Sequence, residues 1–185
     1  ARELGAIAVK LPLPPSCLVT IWGADEAYVE NYLTSFPGYY ETGDAGYCDE
    51  DGYLYIMART DDVINVAGHR LSTGQLEEVL ADHPDIAECA VIGVADQLKG
   101  QLPLGLICLY PNCNRLQDDI MAEAIALVKE RVGRVSSFNL IVVIERLPKT
   151  RSGKVLRGTM AKIADGESWN MPATIDDPAI LDEIK

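Results

Sequence analysis

The chain has 185 residues, of which 48% are hydrophobic and 24% charged, which suits a globular protein of one or two domains. Its formal net charge of −12 argues against a nucleic-acid partner, because phosphate backbones need a basic face. No apolar run is long enough to cross a bilayer and the first residues do not resemble a signal peptide, so we expect neither feature in these residues.

Cysteine and histidine usage argues against disulfides and metals. The cysteines are odd in number and follow no CxxC spacing, so we expect reduced, mostly buried thiols in a reducing compartment. Neither His69 nor His83 has a Cys or His partner at ligand spacing, and no metal site is expected. The five cysteines are Cys17, Cys48, Cys89, Cys108 and Cys113.

The first part of the chain, residues 1–60, predicts a small antiparallel β subdomain. A helix is expected at residues 24–35, ending at the Pro-Gly pair that follows Phe36. Asp49 to Gly52 is typical of a hairpin turn. Strands are predicted at residues 5–10, 39–40, 46–48 and 53–57.

The second part, residues 61–165, alternates strands and helices and predicts a compact domain with a short central sheet covered by helices. Ser72 and Gln75 form a capping-box pattern at the start of one helix. The whole fold class is therefore α/β (α+β). Strands are predicted at residues 63–67, 86–94, 104–110 and 140–144, and helices from 72, at 117–132 and at 155–164. Residues 166–185 are expected to form an acidic tail on the surface.

Two segments near the junction place carboxylates where they could meet a sugar. Asp44 follows Gly43 directly, and an ionised carboxylate can accept two hydrogen bonds from the vicinal hydroxyls of a ribose. Arg59 could add a donor to the same ribose. Of the adjacent acids Asp61 and Asp62, at least one should face solvent or a cation. In isolation, an ordinary turn explains each segment better.

Residues 68–72 lie between a predicted strand and a helix N-terminus. Gly68 allows close approach of a ligand or backbone, and Arg70 could reach a phosphate. The helix N-terminus after Ser72 favours negative charge. His69 is more simply a structural histidine, and we assign it no chemistry.

A basic loop, residues 148–154, stands out in this acidic chain. From Arg146 to Lys162 there are basic side chains but no Asp or Glu. Lys154 is predicted to begin a helix, where a cation opposes the helix dipole unless it serves an anion. Pro148 and Val155 occupy positions at which a Walker P-loop requires Gly and Ser or Thr, so that class is excluded. A solvated basic turn is an equally good explanation on composition alone.

Together, four segments in order resemble the adenylate-forming acid–CoA ligases, in the branch of acetate– and propionate–CoA ligases. The sequence Gly-His-Arg-Leu-Ser at residues 68–72 favours this short-chain branch over luciferases and coumarate ligases. The tail at 173–178 is more similar to the propionate ligases than to the acetate ligases. The four segments are residues 42–44, 49–53, 59–73 and 147–154.

The resemblance implies a two-step reaction with ATP, Mg²⁺ and CoA, in which an acyl-adenylate forms and the CoA thiol then displaces AMP. It implies that Lys154 is catalytic during adenylation and that Asp61 is the hinge of a mobile C-terminal domain. The other implied contacts are Asp44 and Arg59 to the ribose, Arg70 to nucleotide phosphate, and Gly68, Ala67 and Lys129 to CoA.

The resemblance also implies that a large N-terminal region is missing, including the phosphate loop, the acyl pocket and the Mg²⁺ ligands. We therefore expect the chain alone to be inactive, with residues 1–60 as the end of the AMP-binding domain. The implied partners are a short-chain carboxylate, ATP, CoA and that missing domain. The implied compartment is the mitochondrial matrix, with the cytoplasm as the alternative. A non-catalytic module that binds a nucleotide or a partner on the same fold stays open as a second function.

Overall fold

The computed structural model describes residues 3–184, and the chain divides into two compact units between Asp61 and Asp62. Unit 1 ends at Asp61 and unit 2 begins at Asp62. The mixed α/β class predicted from the sequence is confirmed, with a three-stranded sheet in unit 1 and a five-stranded sheet in unit 2. Within residues 3–184, no helix has the length and apolar character that spanning a bilayer requires.

Unit 1 is an antiparallel sheet with strand order β1-β2-β3 and a single helix beside it. The predicted turn at Asp49 is present: the Asp49 carboxylate accepts hydrogen bonds from the Asp51 and Tyr53 N–H groups, at 3.0 and 2.8 Å. The elements are β1 (Gly5–Lys10), α1 (Asp25–Tyr32), β2 (Tyr39–Cys48) and β3 (Leu54–Arg59).

The strands predicted at 39–40 and 46–48 are present, but their separation is wrong, because both are parts of the single strand β2. Gly43 and Gly46 both lie inside this strand. Gly46 lies at a β-bulge against β3, where an added Cβ would come within 2.3 Å of the Tyr55 carbonyl oxygen. A glycine was therefore needed for close strand pairing rather than for a turn.

Unit 1 buries little apolar surface. Among its described residues, Tyr28 and Ala45 are the buried hydrophobic side chains. The rings of Tyr32 and Tyr40 stack with their centroids 5.3 Å apart. The residues of β3 leave their apolar side chains largely exposed, as do Val19 and Trp22 in the preceding loop.

Unit 2 has the strand order β5-β4-β7-β6, and β8 pairs in parallel with β7. The Ser72 hydroxyl accepts a hydrogen bond from the Gln75 N–H at 3.4 Å, which caps the second helix as predicted. The elements are β4 (Val63–Val66), β5 (His69–Ser72), α2 (Thr73–Ala81), β6 (Ile86–Asp96), β7 (Gly100–Leu109), α3 (Gln117–Arg131), β8 (Leu140–Val143), α4 (Arg157–Ala164) and α5 (Ile180–Glu183).

Alternate residues of β6 and β7 face two separate cores, so helices cover both faces of the sheet. On one face, helices α2 and α3 pack around Val91 and Ile107. On the other face, Met160 of α4 packs with Ala90 and Leu106. Unit 2 is therefore a three-layer domain, and α3 and α4 lie on opposite sides of it.

Strand β6 lies at the edge of the sheet, and side chains occupy part of that edge. The Glu77 carboxylate accepts a hydrogen bond from the Val91 N–H at 2.8 Å. The Asp165 carboxylate accepts one from the Ala95 N–H, also at 2.8 Å. Helices α2 and α4 are thus tied to the backbone of β6.

Two expectations about the second half of the chain need correction. The helix predicted to begin at Lys154 begins at Arg157, because residues 149–155 form a β-hairpin instead. Residues 166–184 are not a surface tail, since Ile175 and Leu181 are buried in a third small core.

The thiols are not mostly buried either. All five cysteines are free, but Cys17 and Cys48 are exposed and only Cys108 is fully buried. Cys17 lies in the Pro-rich loop, and Cys48 lies at the solvent-exposed end of β2.

Candidate functional site

In unit 1 the structure brings Asp44, Arg59 and Asp61 together. Asp44 and Arg59 are cross-strand neighbours of β2 and β3, with Arg59 Nη1 3.6 Å from Asp44 Oδ1. The Nε of the same guanidinium lies 3.4 Å from Asp61 Oδ1. The Asp44 side chain is 35% exposed and that of Arg59 is 49% exposed. The result is an open carboxylate beside a fixed donor, which can bind a diol.

Gly43 makes this arrangement possible. Its φ of +75° is favourable only for glycine, and an added Cβ would lie 2.7 Å from the Arg59 Nη2 atom. Arg59 Nη1 donates to the Thr42 carbonyl at 3.3 Å, and the Thr60 hydroxyl donates to the Gly43 carbonyl at 3.2 Å. The Arg59 guanidinium therefore lies directly on the backbone of residues 42–43.

In unit 2 the predicted residues Ala67, Gly68 and Arg70 lie on one hairpin. Strands β4 and β5 pair Val66 with His69, so Ala67 and Gly68 form a two-residue turn with φ values of +49° and +87°. Both turn residues are exposed, and the Ala67 N–H donates to the Lys99 carbonyl at 2.8 Å. This tight, protruding turn offers backbone rather than side chain to a ligand.

Lys154 lies near the tip of the hairpin that we call the Lys154 hairpin, residues 149–155. Lys149 and Val155 form its bridge. The Thr150 N–H donates to the Lys154 carbonyl at 2.8 Å, and the Lys154 N–H donates to the Thr150 hydroxyl at 3.1 Å. The Lys154 side chain is exposed, and within residues 3–184 its ammonium makes no hydrogen bond or ion pair.

Two of the other cations around this hairpin are neutralised, whereas the exposed Arg151 side chain, like that of Lys154, makes no ion pair within residues 3–184. Lys149 Nζ lies 2.7 Å from a Glu88 carboxylate oxygen. Arg146 lies 2.6 Å from Asp177. The sequence showed no acid near this stretch, but folding brings acids from strand β6 and from the C-terminal segment. Arg157, just after the hairpin, is paired as well, so the charges of Arg151 and Lys154 on the hairpin stay available.

Arg157 belongs to a network that the sequence did not reveal. Its guanidinium donates to both oxygens of Glu77, at 2.9 and 2.8 Å. Asp62 Oδ2 lies 4.0 Å from Arg157 Nη1. Thus Asp62 has its cation inside unit 2, whereas Asp61 has Arg59 inside unit 1. Glu77 and Arg157 are 80 positions apart in the sequence. Neither the capping box at the start of α2 nor the basic loop indicates that these two side chains contact each other.

Cys89 lies beside this network. Its thiol donates to the Glu77 carbonyl at 3.4 Å. Burial and then the nearby Glu77 carboxylate raise the pKa of Cys89 to about 11, so at neutral pH it is a protonated, unreactive thiol.

Three further findings limit where a site can lie. Lys129 lies in the last turn of α3, on the sheet face opposite to α4, and within residues 3–184 it has no ion pair. A cavity of about 670 Å³ lies between α4, α5 and strands β6 to β8 of unit 2, and none of its lining residues is a predicted site residue. In the described part of the chain, no cluster of three or more His, Cys, Asp or Glu side chains could hold a metal ion.

Comparison with known proteins covers the whole chain. Over 185 residues it is 56% identical to an uncharacterized protein of Pseudomonas aeruginosa and 46% identical to acyl-CoA synthetase short-chain family member 3, mitochondrial, of Mus musculus. It is 44% identical over 190 residues to propionate–CoA ligase of Escherichia coli. Each alignment includes 100% of this chain but only 30%, 27% and 30% of the relative, so the chain spans less than a third of their length.

Among solved structures, the anthranilate CoA ligase AuaEII in complex with anthranoyl-AMP matches with a TM-score of 0.70 and 25% identity, covering 89% of this chain and 31% of that one. Residues 75–154 match the family described as the AMP-binding enzyme C-terminal domain. Residues 75–154 are therefore similar to the C-terminal domain of the AMP-binding enzymes, and the whole chain is similar to the C-terminal portion of longer short-chain acyl-CoA synthetases and of propionate–CoA ligase.

Proposed function

We propose that this chain is the C-terminal part of an AMP-forming ligase that joins a short-chain carboxylic acid, such as acetate, propionate or butyrate, to CoA. The observation that carries the proposal is the exposed Lys154 ammonium on a fixed hairpin, in a domain whose relatives include named short-chain acyl-CoA synthetases. The names of these relatives support the substrate class, and the mitochondrial ones support the matrix as the compartment, with the cytoplasm as the alternative.

Lys154 acts in the first step. A carboxylate oxygen of the acid attacks the α-phosphorus of ATP, and the bond to pyrophosphate breaks. Negative charge gathers on the phosphoryl oxygens, and a placed ammonium stabilises it. Residues outside this chain would hold Mg²⁺, which would neutralise charge on the pyrophosphate when bound. In the second step the CoA thiolate attacks the acyl carbon and AMP leaves.

Asp44 and Arg59 hold the ribose of the nucleotide. The Asp44 carboxylate accepts hydrogen bonds from both hydroxyls, since its oxygens are open to solvent on one side. Arg59, fixed on the Thr42 carbonyl, donates to the same sugar. Arg70, near the N-terminus of α2, contacts nucleotide phosphate.

Asp61 is the hinge, and the division between the two units falls directly after it. In one orientation of unit 2, Lys154 reaches the phosphate. In the other, the turn of Ala67 and Gly68 lies along the pantetheine of CoA, with Lys129 as a contact to CoA phosphates. Moving the lysine away after adenylation lets the thiol enter.

The test uses the intact enzyme that contains this chain. Lys154→Ala should lower the rate of acyl-adenylate formation about 10²–10³-fold while thioester formation from supplied acyl-adenylate stays within about twofold. Lys162→Ala, which removes another exposed cation of the same segment, is the matched control and should leave both rates unchanged.

Three results would contradict the proposal in different ways. Unchanged adenylation in Lys154→Ala would remove Lys154 from the mechanism. ATP–pyrophosphate exchange by the 185-residue chain alone would show that the active site does not need the missing region. Neither half-reaction in any form of the protein would favour a non-catalytic binding module.

A further inference from the structure

The C-terminal segment, which we define as residues 174–183, is paired with the Lys154 hairpin along its backbone. Thr150 and Ile175 form an antiparallel bridge. Two hydrogen bonds flank it, from the Arg151 N–H to the Thr174 carbonyl at 2.9 Å and from the Asp176 N–H to the Lys149 carbonyl at 3.0 Å. The hairpin therefore has a third, strand-like neighbour, which comes from about 25 positions further along the chain.

Charge holds the same two regions together. Asp177 Oδ2 accepts a hydrogen bond from Arg146 Nη2 at 2.6 Å, and Arg146 precedes the hairpin by only three residues. Glu183 lies 3.5 Å from the same guanidinium. The other Asp177 oxygen accepts from the Ala179 N–H at 3.0 Å. That N–H first, and then the Arg146 guanidinium, hold the pKa of Asp177 below its usual range.

Packing adds a third connection. Ile175, Ile180 and Leu181 are buried at 4%, 4% and 0% exposure. They pack with Leu156, which follows Lys154 by two residues, and with Ile163 of helix α4. These three buried apolar side chains show that the C-terminal segment packs against residues next to the hairpin and does not serve solubility alone.

We propose that the C-terminal segment is a positioning element for Lys154 and that Asp177 is its charged anchor. The inference rests on the proposed role of Lys154. A lysine that must meet one phosphorus atom gains from a hairpin that cannot tilt, since small misplacements of a catalytic group cost rate steeply. Because Lys154 serves adenylation alone, loosening the segment should slow adenylation and spare thioester formation.

The substitution that tests this is Asp177→Asn, compared with Asp176→Asn. Both changes remove one negative charge from adjacent positions, but the Asp176 carboxylate is exposed and makes no ion pair or hydrogen bond within residues 3–184. In the intact enzyme, Asp177→Asn should lower kcat for adenylation about tenfold with an unchanged KM for ATP, whereas Asp176→Asn should not. Asp177→Glu, which keeps the charge, should restore most of the rate.

A second measurement reports the contact without any activity. In the 185-residue chain, Asp177→Asn should speed hydrogen exchange of the Arg151 and Asp176 amides about tenfold, and Asp176→Asn should leave the Arg151 amide as in the wild type. Equal exchange in the two variants would overturn the anchor role.

The two readouts separate the inference from the proposed function. If exchange changes as expected and the wild-type enzyme adenylates, but Asp177→Asn adenylates normally, the positioning role is wrong. If the wild-type enzyme performs neither half-reaction, the proposed function fails instead, and the exchange result alone decides whether Asp177 anchors the hairpin. Equal slowing of both half-reactions by Asp177→Asn would indicate a structural effect and also overturn the positioning role.

Discussion

Gly43 shows how much one residue can determine at the proposed ribose site. Gly43 adopts a left-handed backbone conformation, and its missing side chain leaves space for the Arg59 guanidinium to contact the backbone there. Asp44 and Arg59 could be predicted as partners because the sequence places them in segments with a shared resemblance. The stacking of Arg59 on residue 43 could not, because it depends on the register that pairs β2 with β3.

Replacing this glycine should therefore damage binding more than backbone strain alone explains. We expect Gly43→Ala in the intact enzyme to weaken AMP binding about tenfold, because the new Cβ displaces the Arg59 guanidinium and its charged hydrogen bonds. Isothermal titration calorimetry gives the dissociation constant.

Gly52→Ala is the matched control for that measurement. Gly52 has a φ of +86°, but an added Cβ there meets nothing within 4 Å. It should cost about 1 kcal/mol of stability from the left-handed backbone and leave AMP binding as it was. Equal weakening in both variants would contradict the role given to Arg59.

Ala67 carries a similar strain without glycine's freedom. A φ of +49° costs an alanine about 1 kcal/mol, and Asn-Gly would suit this turn better. The strained alanine lies at a turn that is proposed to contact CoA. The strain supports the need for a small side chain at this position.

At the scale of elements, helix α2 has a central role through Glu77. Its carboxylate accepts one hydrogen bond from the Val91 N–H of β6 and three from the guanidinium of Arg157 in α4. The side chains of Glu77 and Arg157 are only 17% and 25% exposed, so solvent cannot replace a lost partner fully. Three elements of unit 2 therefore depend on one acid.

We expect Glu77→Ala to lower the free energy of unfolding of unit 2 by about 2 kcal/mol, since it leaves a half-buried guanidinium and a strand N–H without their acceptor. Glu78→Ala, one position along the same helix, removes an exposed carboxylate without an ion pair in the described residues. It should change stability by less than about 0.5 kcal/mol. Urea unfolding followed by circular dichroism measures both, and equal losses would rule out the network.

Elements with local signals could be predicted from the sequence, and elements made by distant contacts could not. The capping box at Ser72 and the turn at Asp49 depend on residues within four positions, and both are present. Residues 148–154 predict a basic loop with a helix from Lys154, and the hairpin was missed because the segment that pairs with it, residues 174–176, lies over twenty positions away. Buried Leu181 was hidden for the same reason, inside a stretch whose composition is acidic.

At the scale of the whole molecule, the two units differ in how many apolar side chains they bury. Unit 1 buries Tyr28 and Ala45, while unit 2 has three hydrophobic clusters. The exposed apolar side chains of β3 fit the proposal that unit 1 is the end of a larger domain, which would cover them. In the 185-residue chain, unit 1 should therefore be the less stable part.

This difference predicts unfolding in two steps. In a urea series, amides of β2 and β3 should lose hydrogen-exchange protection at a lower urea concentration than those of β6 and β7. Without urea, they should exchange at least about tenfold faster than the amides of β6 and β7. Mass spectrometry of the corresponding peptides measures both. A single transition shared by all four strands would show that the chain unfolds as one cooperative body.

The carboxylates of Glu77 and Asp165 at the rim of strand β6 also affect how copies of this protein meet. A bare strand rim is a template on which another molecule can add a strand and start a fibre. Here two of the amides that such an addition would use are already bonded to acids from the same chain. An incoming strand would have to displace both acids, and a second copy with the same net charge of −12 would be repelled as it approached. The contacts that tie the helices to the sheet thus also protect this rim from polymerisation.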